Sequence, residues 1–302
     1  MDTSQRKRIG YYIKRNDSIL DFCIHKSDFD QVCKDEFDKY CKIIFQLQPI
    51  VIAYEAVSLS YYELRKSLDD YDNIWLEKSI PGAGYFCIAI SHLIESTQKV
   101  TNLLSSVTAF LASTQIRLKK EVGEVDPRYI LWDSLRKKLH NENFSYRFLY
   151  ELRNYSQHSN VPISEANVHI DDIVSDTRKV KSTLYINKIE LFNSGYEWKK
   201  GLKLEIQAQD NKINLMPLVD EYIFIIKALT IAYLDLFQND LTECYQYINT
   251  FYRVYNIPKD VIPLLFIGDT VNGQPVPNNM EYIPSEQLLW IFNKYKEIKV
   301  RN

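Results

Sequence analysis

Between Tyr85 and Glu121, apolar side chains recur at Leu93, Val100, Leu104, Val107, Leu111 and Leu118, in steps of three, four and seven. That spacing puts them on one stripe of a single long α-helix. Such a stripe is stable only when another element covers it. The same rhythm precedes it, in Phe29, Val32, Phe37, Tyr40, Ile43 and Ile44 behind a capping start at Ser27-Asp28. Pro49 is expected to interrupt that helix, and the pattern resumes through Tyr54, Val57, Tyr61, Leu64 and Leu68. With 8 glycines and 10 prolines in 302 residues, the chain has too few tight turns for a β-barrel or sandwich. The fold class expected is mainly α, a helical bundle with a small β-hairpin insertion and a C-terminal appendage.

The segments follow from local signals. Residues 1–26 form an N-terminal extension with a hairpin around Arg15-Asn16-Asp17-Ser18. Residues 27–165 hold the bundle; Pro81-Gly82-Ala83-Gly84 is a loop within it, and Asp126-Pro127 caps a helix running to about His140. In residues 166–215 the period turns to alternation. Thr183 to Leu191 and Leu202 to Gln207 read as two strands, separated by Asn193-Ser194-Gly195. Residues 216–256 complete the bundle, with Pro217 opening an apolar helix from Val219 to Phe237. That helix carries Asp220, Glu221, Lys227 and Asp235, which marks a buried core helix and not a membrane span. Residues 257–302 contain five of the ten prolines, all between Ile257 and Pro284 inclusive. They read as irregular, with a short strand at Val261 to Ile267 and a last helix capped by Ser285.

Charge and cysteine usage exclude several classes. A net charge of −2 supplies no global basic field, so any nucleic-acid contact needs a local patch. Arg117 to Lys120, Arg136-Lys137-Lys138 and Lys199-Lys200 are such clusters, each ordinarily a solvated face. Five scattered cysteines fit free thiols in a reducing compartment. Neither Cys-x-x-Cys nor His-x-x-x-His occurs, so no metal is expected. Gly82 and Gly84 make only a fragment of a phosphate loop, with no strand before it, so no cofactor is expected. Met1 to Arg8 is polar and basic, without an apolar run of signal-peptide kind behind it. The expectation is a cytoplasmic protein with no membrane partner.

The densest chemistry lies in Glu151-Leu152-Arg153-Asn154-Tyr155-Ser156-Gln157-His158-Ser159-Asn160-Val161-Pro162. Pro162 disfavours helical geometry at Val161, so the helix ends near Ser159 or Asn160. Asn160 is a candidate for a left-handed C-terminal residue. Asn154 and His158 share a face of the last turn, while Arg153 stands roughly 140° away from His158 around the helix. An arginine, an asparagine and a histidine at a helix end can do no more than meet carbonyls and solvent. They can also bind and protonate a phosphate ester.

Arg153, the polar Asn154 directly after it, and His158 four residues beyond that, at the end of a late bundle helix, resemble the catalytic motif of HEPN ribonucleases. The resemblance covers residues from about Ser27 to Pro162. It implies a HEPN-like bundle and a metal-independent endoribonuclease that cleaves RNA by 2′-hydroxyl attack, leaving a 2′,3′-cyclic phosphate. His158 would be the acid/base, Arg153 the phosphate clamp and Asn154 the orienting group. One chain offers one such histidine for two proton transfers, and the family meets this by pairing two motifs in a homodimer. The partners implied are RNA, a second copy, and an antitoxin or defence-system protein, since many members act as toxins or in phage defence. Tyr155 and Gln157 are weaker candidates for substrate contact, with packing and solvent as their ordinary roles. The alternative is a non-catalytic HEPN-like module that binds a protein, nucleotide or RNA.

Overall fold

The computed structural model describes residues 6–16, 19–77, 84–171, 179–271 and 274–300. In chain order it contains strands β1 (Arg6–Asn16) and β2 (Ile19–Ile24), then helices α1 (Gln31–Glu77), α2 (Tyr85–Val122), α3 (Pro127–Glu142) and α4 (Phe144–His158). Strands β3 (Glu165–Asp171) and β4 (Lys179–Asn187) follow, with helices α5 (Lys188–Asn193) and α6 (Lys200–Ala208), strand β5 (Lys212–Asn214) and helix α7 (Leu215–Asp235). The last elements are helix α8 (Gln238–Val254), strands β6 (Leu264–Val271) and β7 (Gln274–Tyr282), and helix α9 (Ser285–Val300). The mainly α class is borne out. The contacts divide the chain into two units, residues 52–232 and residues 1–51 with 233–302.

In the unit of residues 52–232, the stripe read from the sequence is the buried face of α2. Val100, Leu104, Val107 and Leu118 are all at most 1% exposed. α3 starts as expected, with Asp126 accepting the Arg128 N–H at 2.8 Å and Pro127 in the first turn. Trp132 on α3 is buried and donates its indole N–H to the Leu229 carbonyl of α7 at 3.1 Å. The apolar face of α7 is buried at Val219, Tyr222, Ile225, Ile226 and Leu229, as the core-helix reading requires.

The β insertion differs from the expectation in its second half. Asn187 ends β4 by accepting the N–H groups of Ile189 and Glu190 at 2.9 and 3.4 Å, which starts α5 inside the expected strand. Residues Leu202 to Gln207 belong to α6 and not to a strand. Leu202 and Ile206 are buried one turn apart while Leu204 is 61% exposed. Three apolar residues in alternation fit both periods, and burial here selected the helical one. The sheet is three antiparallel strands in the order β3-β4-β5.

In the other unit the N-terminal hairpin is present, with β1 and β2 paired antiparallel; Asp17 and Ser18 of the expected turn lie outside the described residues. The sheet order is β2-β1-β6-β7. The short strand expected at Val261 to Ile267 is present as β6, beginning at Leu264, and the rest of the region expected to be irregular pairs with it as the β6–β7 hairpin. Its prolines, Pro275 and Pro277, fall on β7 at the sheet edge, where a missing N–H costs no ladder bond. α1 begins later than expected, behind Asp30, whose carboxylate accepts the Cys33 N–H at 2.9 Å. It then continues through Pro49 without a break. Ile44, Leu47, Ile50 and Val51 on either side are fully buried, and that burial offsets the lost backbone bond.

By length and composition alone, α1 is the one described helix apolar enough to cross a membrane; its most apolar window is 39% buried inside the protein. Buried core helices share that composition. Of the Pro81–Gly84 loop, residues 81–83 lie outside the described residues.

Candidate functional site at the end of α4

One face of α4 anchors it. Phe148, Leu149, Leu152 and Tyr155 are at most 2% exposed. The ring of Tyr155 stacks on Trp198 at 5.5 Å and meets Tyr196 edge-on at 5.6 Å. Phe148 stacks on the same indole at 6.0 Å. At 2% exposure, against the buried Trp198 and the half-buried Tyr196, Tyr155 takes the packing role and not the weaker substrate contact. Gln157 is exposed at the helix surface.

A polar row runs beside that core. Glu151 is 6% exposed, accepts the Tyr196 hydroxyl at 2.7 Å and pairs with Lys199 at 2.9 Å. Burial pushes its carboxyl upward, but hydrogen bonds from Tyr196, Lys199 and Asn154 outweigh it and hold the pKa below the usual value. Asn154 is therefore held by a carboxylate on one side. On the other, its Oδ1 accepts from Arg153 Nη1 at 3.3 Å. Arg153 Nε is buried and has no hydrogen-bond partner, and among the described residues no carboxylate pairs with this guanidinium. A desolvated guanidinium donor facing no acceptor is a place where an anion is stabilised.

His158 is the last residue of α4 and is exposed. No hydrogen bond or ion pair joins it to Arg153 among the described residues. The structure thus brings Arg153 and Asn154 together and leaves His158 apart, one turn beyond Asn154 in the same helix. The helix ends where expected, with the N–H groups of Ser159 and Asn160 on the Tyr155 carbonyl at 2.9 and 3.4 Å. Asn160 does not take the left-handed conformation; the one described non-glycine residue with positive φ is Asn256. The Asn160 side chain instead accepts the Val161 N–H at 2.8 Å, an alternative that competes with the left-handed cap.

Sequence reasoning missed Glu151 as the organising carboxylate, together with Tyr196 and Lys199. Those two partners lie more than forty residues away on a connector, and no local spacing announces them. Among the described residues, no group of three or more His, Cys, Asp or Glu side chains is placed to hold a metal ion. No family model, curated protein or solved structure matches this chain.

Proposed function

We propose that the chain is a HEPN-type endoribonuclease that acts as a homodimer in the cytoplasm, in a toxin or phage-defence role. The observation that carries this reading is the Arg153 guanidinium: propped by Asn154, unpaired with any carboxylate among the described residues, and with its buried Nε unpartnered. In the proposed reaction Arg153 binds the scissile phosphate through its planar fork. A ribose 2′-oxygen attacks phosphorus as His158 takes its proton, and the 5′-oxygen leaves as it receives a proton from a second copy's His158. The products are a 2′,3′-cyclic phosphate and a 5′-hydroxyl. Arg153 stabilises the charge that builds on the non-bridging oxygens during the transfer. The test is RNA cleavage in the presence of EDTA by the wild type, Arg153→Ala and His158→Ala. Cleavage lost in both variants supports the assignment; full activity in both overturns it.

The separation of His158 from Arg153 favours a second reading, a HEPN-like module that binds RNA, nucleotide or protein without cleaving. That reading predicts binding that depends on Arg153, no cleavage at any pH, and no growth inhibition on expression.

A further inference from the structure

A second basic recess lies within the unit of residues 52–232, between α2, α3 and α4. It encloses about 230 Å³ and is lined on its polar side by Gln115, Arg136, Lys137, His140, Asn141 and Tyr150. That is smaller than the roughly 300 Å³ at which pockets for drug-sized ligands begin. It suits a small polar group or one end of a longer ligand.

The charges are unequal. Arg136 binds Asp133 Oδ1 through Nε and Nη2 at 3.1 and 2.7 Å, and Lys137 binds Asp133 Oδ2 at 2.7 Å. Asp133 is buried, yet those two partners overcome its desolvation and hold its pKa low, so it is a carboxylate. One carboxylate faces two permanent cations, which leaves one positive charge uncompensated. No Asp or Glu is among the residues lining the recess. His140 reports the same field: burial first, then Arg147, Lys199 and Arg136, push its pKa down, while Asn141 alone raises it. Arg147 and Lys199 are themselves paired, with Glu205 and Glu151 respectively. The hydroxyl of Tyr146 behind His140 is pushed up to about 12 by burial and stays a neutral donor. Donors therefore outnumber acceptors around a space that lacks a negative charge.

We propose that this recess binds a phosphate group, held by Lys137, Arg136 and His140. A phosphate brings the acceptor oxygens and negative charge that the lining lacks, and each contact is a charge-assisted hydrogen bond. Two sources share this chemistry, the monoester of a free nucleotide and the diester of an RNA strand. Arg153 lies on the face of α4 that carries Tyr146 and Tyr150, about 10 Å beyond Tyr146 along the axis. A strand anchored in the recess can extend toward it; that extension rests on the reading of Arg153 as a phosphate ligand, whereas phosphate binding in the recess does not.

The test follows the His140 ring signals by NMR in the full chain during titration with inorganic phosphate, AMP and a short single-stranded RNA. The expected result is a shift of His140 that saturates, with the binding weakened about tenfold in Lys137→Gln. Lys137 is 67% exposed in its side chain, so this variant keeps the fold. Calorimetry on His140→Gln should show a comparable loss. Tightest binding of AMP assigns the monoester source, and tightest binding of RNA assigns the diester. No His140 shift with any of the three probes overturns the proposal, as does binding of equal strength in Lys137→Gln and His140→Gln. Arg153→Ala separates the two readings. It should keep the His140 response to inorganic phosphate even where it abolishes RNA cleavage.

Discussion

Arg153 Nη1 donates to Oδ1 of its own neighbour Asn154 at 3.3 Å. Adjacent helical residues do not normally face each other, so a long guanidinium has folded back to reach the carboxamide. Asn154 is in turn drawn to the buried Glu151. A row from Lys199 through Glu151 and Asn154 thus fixes where the Arg153 fork sits. Its second function is neutrality. An amide orients the cation without cancelling the charge that a phosphate would need.

Arg153→Lys tests whether the fork or the charge matters. Lysine keeps the charge but loses the planar donor set and the buried Nε. We expect RNA cleavage to fall by about 10²-fold or more, near the loss seen when one preorganised transition-state donor is removed. The melting temperature should stay unchanged, because Arg153 forms no buried ion pair among the described residues. Single-turnover cleavage rates check the first statement and thermal melting the second.

Asn154→Asp should be worse than Asn154→Ala for RNA binding. The new carboxylate would pair with Arg153 and stand beside Glu151, neutralising the cation and repelling phosphate. Filter binding to a short RNA at fixed salt should rank wild type above Asn154→Ala above Asn154→Asp. Equal affinity for the aspartate variant would remove Arg153 from the phosphate-binding role.

His92 on α2 sets an acid limit on stability. It is 1% exposed, stacks on Tyr71 at 4.1 Å and 14°, and neither ring nitrogen has a hydrogen-bond partner among the described residues. Burial lowers its pKa, only partly countered by Asp72 and Glu95. The folded protein therefore binds this proton less readily than the unfolded chain, whose histidine titrates near 6.5. Stability at neutral pH is unaffected by the shift, and is lost as pH falls below about 6.5 toward the lowered folded value. His92→Phe keeps the stacked ring and removes the titration. Urea midpoints between pH 7 and pH 5 should fall steeply in the wild type and less in the variant. Parallel slopes would assign the acid sensitivity to other groups.

The parts of this fold legible in the sequence are those with a long period or a strong local signal. The α2 stripe and the buried α7 repeat a signal over several turns, while the start of α3 at Asp126-Pro127 and the stop of α4 before Pro162 were legible from strong local cap and proline signals. The N-terminal hairpin was legible although short, but other short segments were not, for a physical reason. Leu202, Leu204 and Ile206 satisfy two periods at once, and only the surface available to bury Leu202 and Ile206 decides between them. In the β6–β7 hairpin, proline content outweighed Asn272-Gly273, the pair that favours a tight hairpin turn. An edge position made those prolines harmless. At the site, Arg153, Asn154 and His158 were visible because they are close in sequence. The Tyr196 and Lys199 partners of Glu151 were not, nor was the recess that Gln115 of α2 and Tyr150 of α4 close around Arg136 and His140 of α3, because tertiary contact assembles them.

Pro49 offers the sharpest check on that lesson, since its local signal is the strongest in α1 and is overridden. Within a helix, proline lacks the N–H that would bond the carbonyl four residues back, and its ring crowds that carbonyl, together costing about 3 kcal/mol. The chain keeps its helix here because Ile44, Leu47, Ile50 and Val51 are all buried around it. Pro49→Ala restores the donor to the carbonyl of Phe45. It also frees the unfolded chain, which returns about 0.4–1 kcal/mol to the unfolded state. The net expectation is a gain of about 2 kcal/mol, read as a higher urea midpoint with an unchanged m-value. A loss of stability would mean that the proline ring fills space in the core that alanine leaves empty, at a cost exceeding the recovered hydrogen bond.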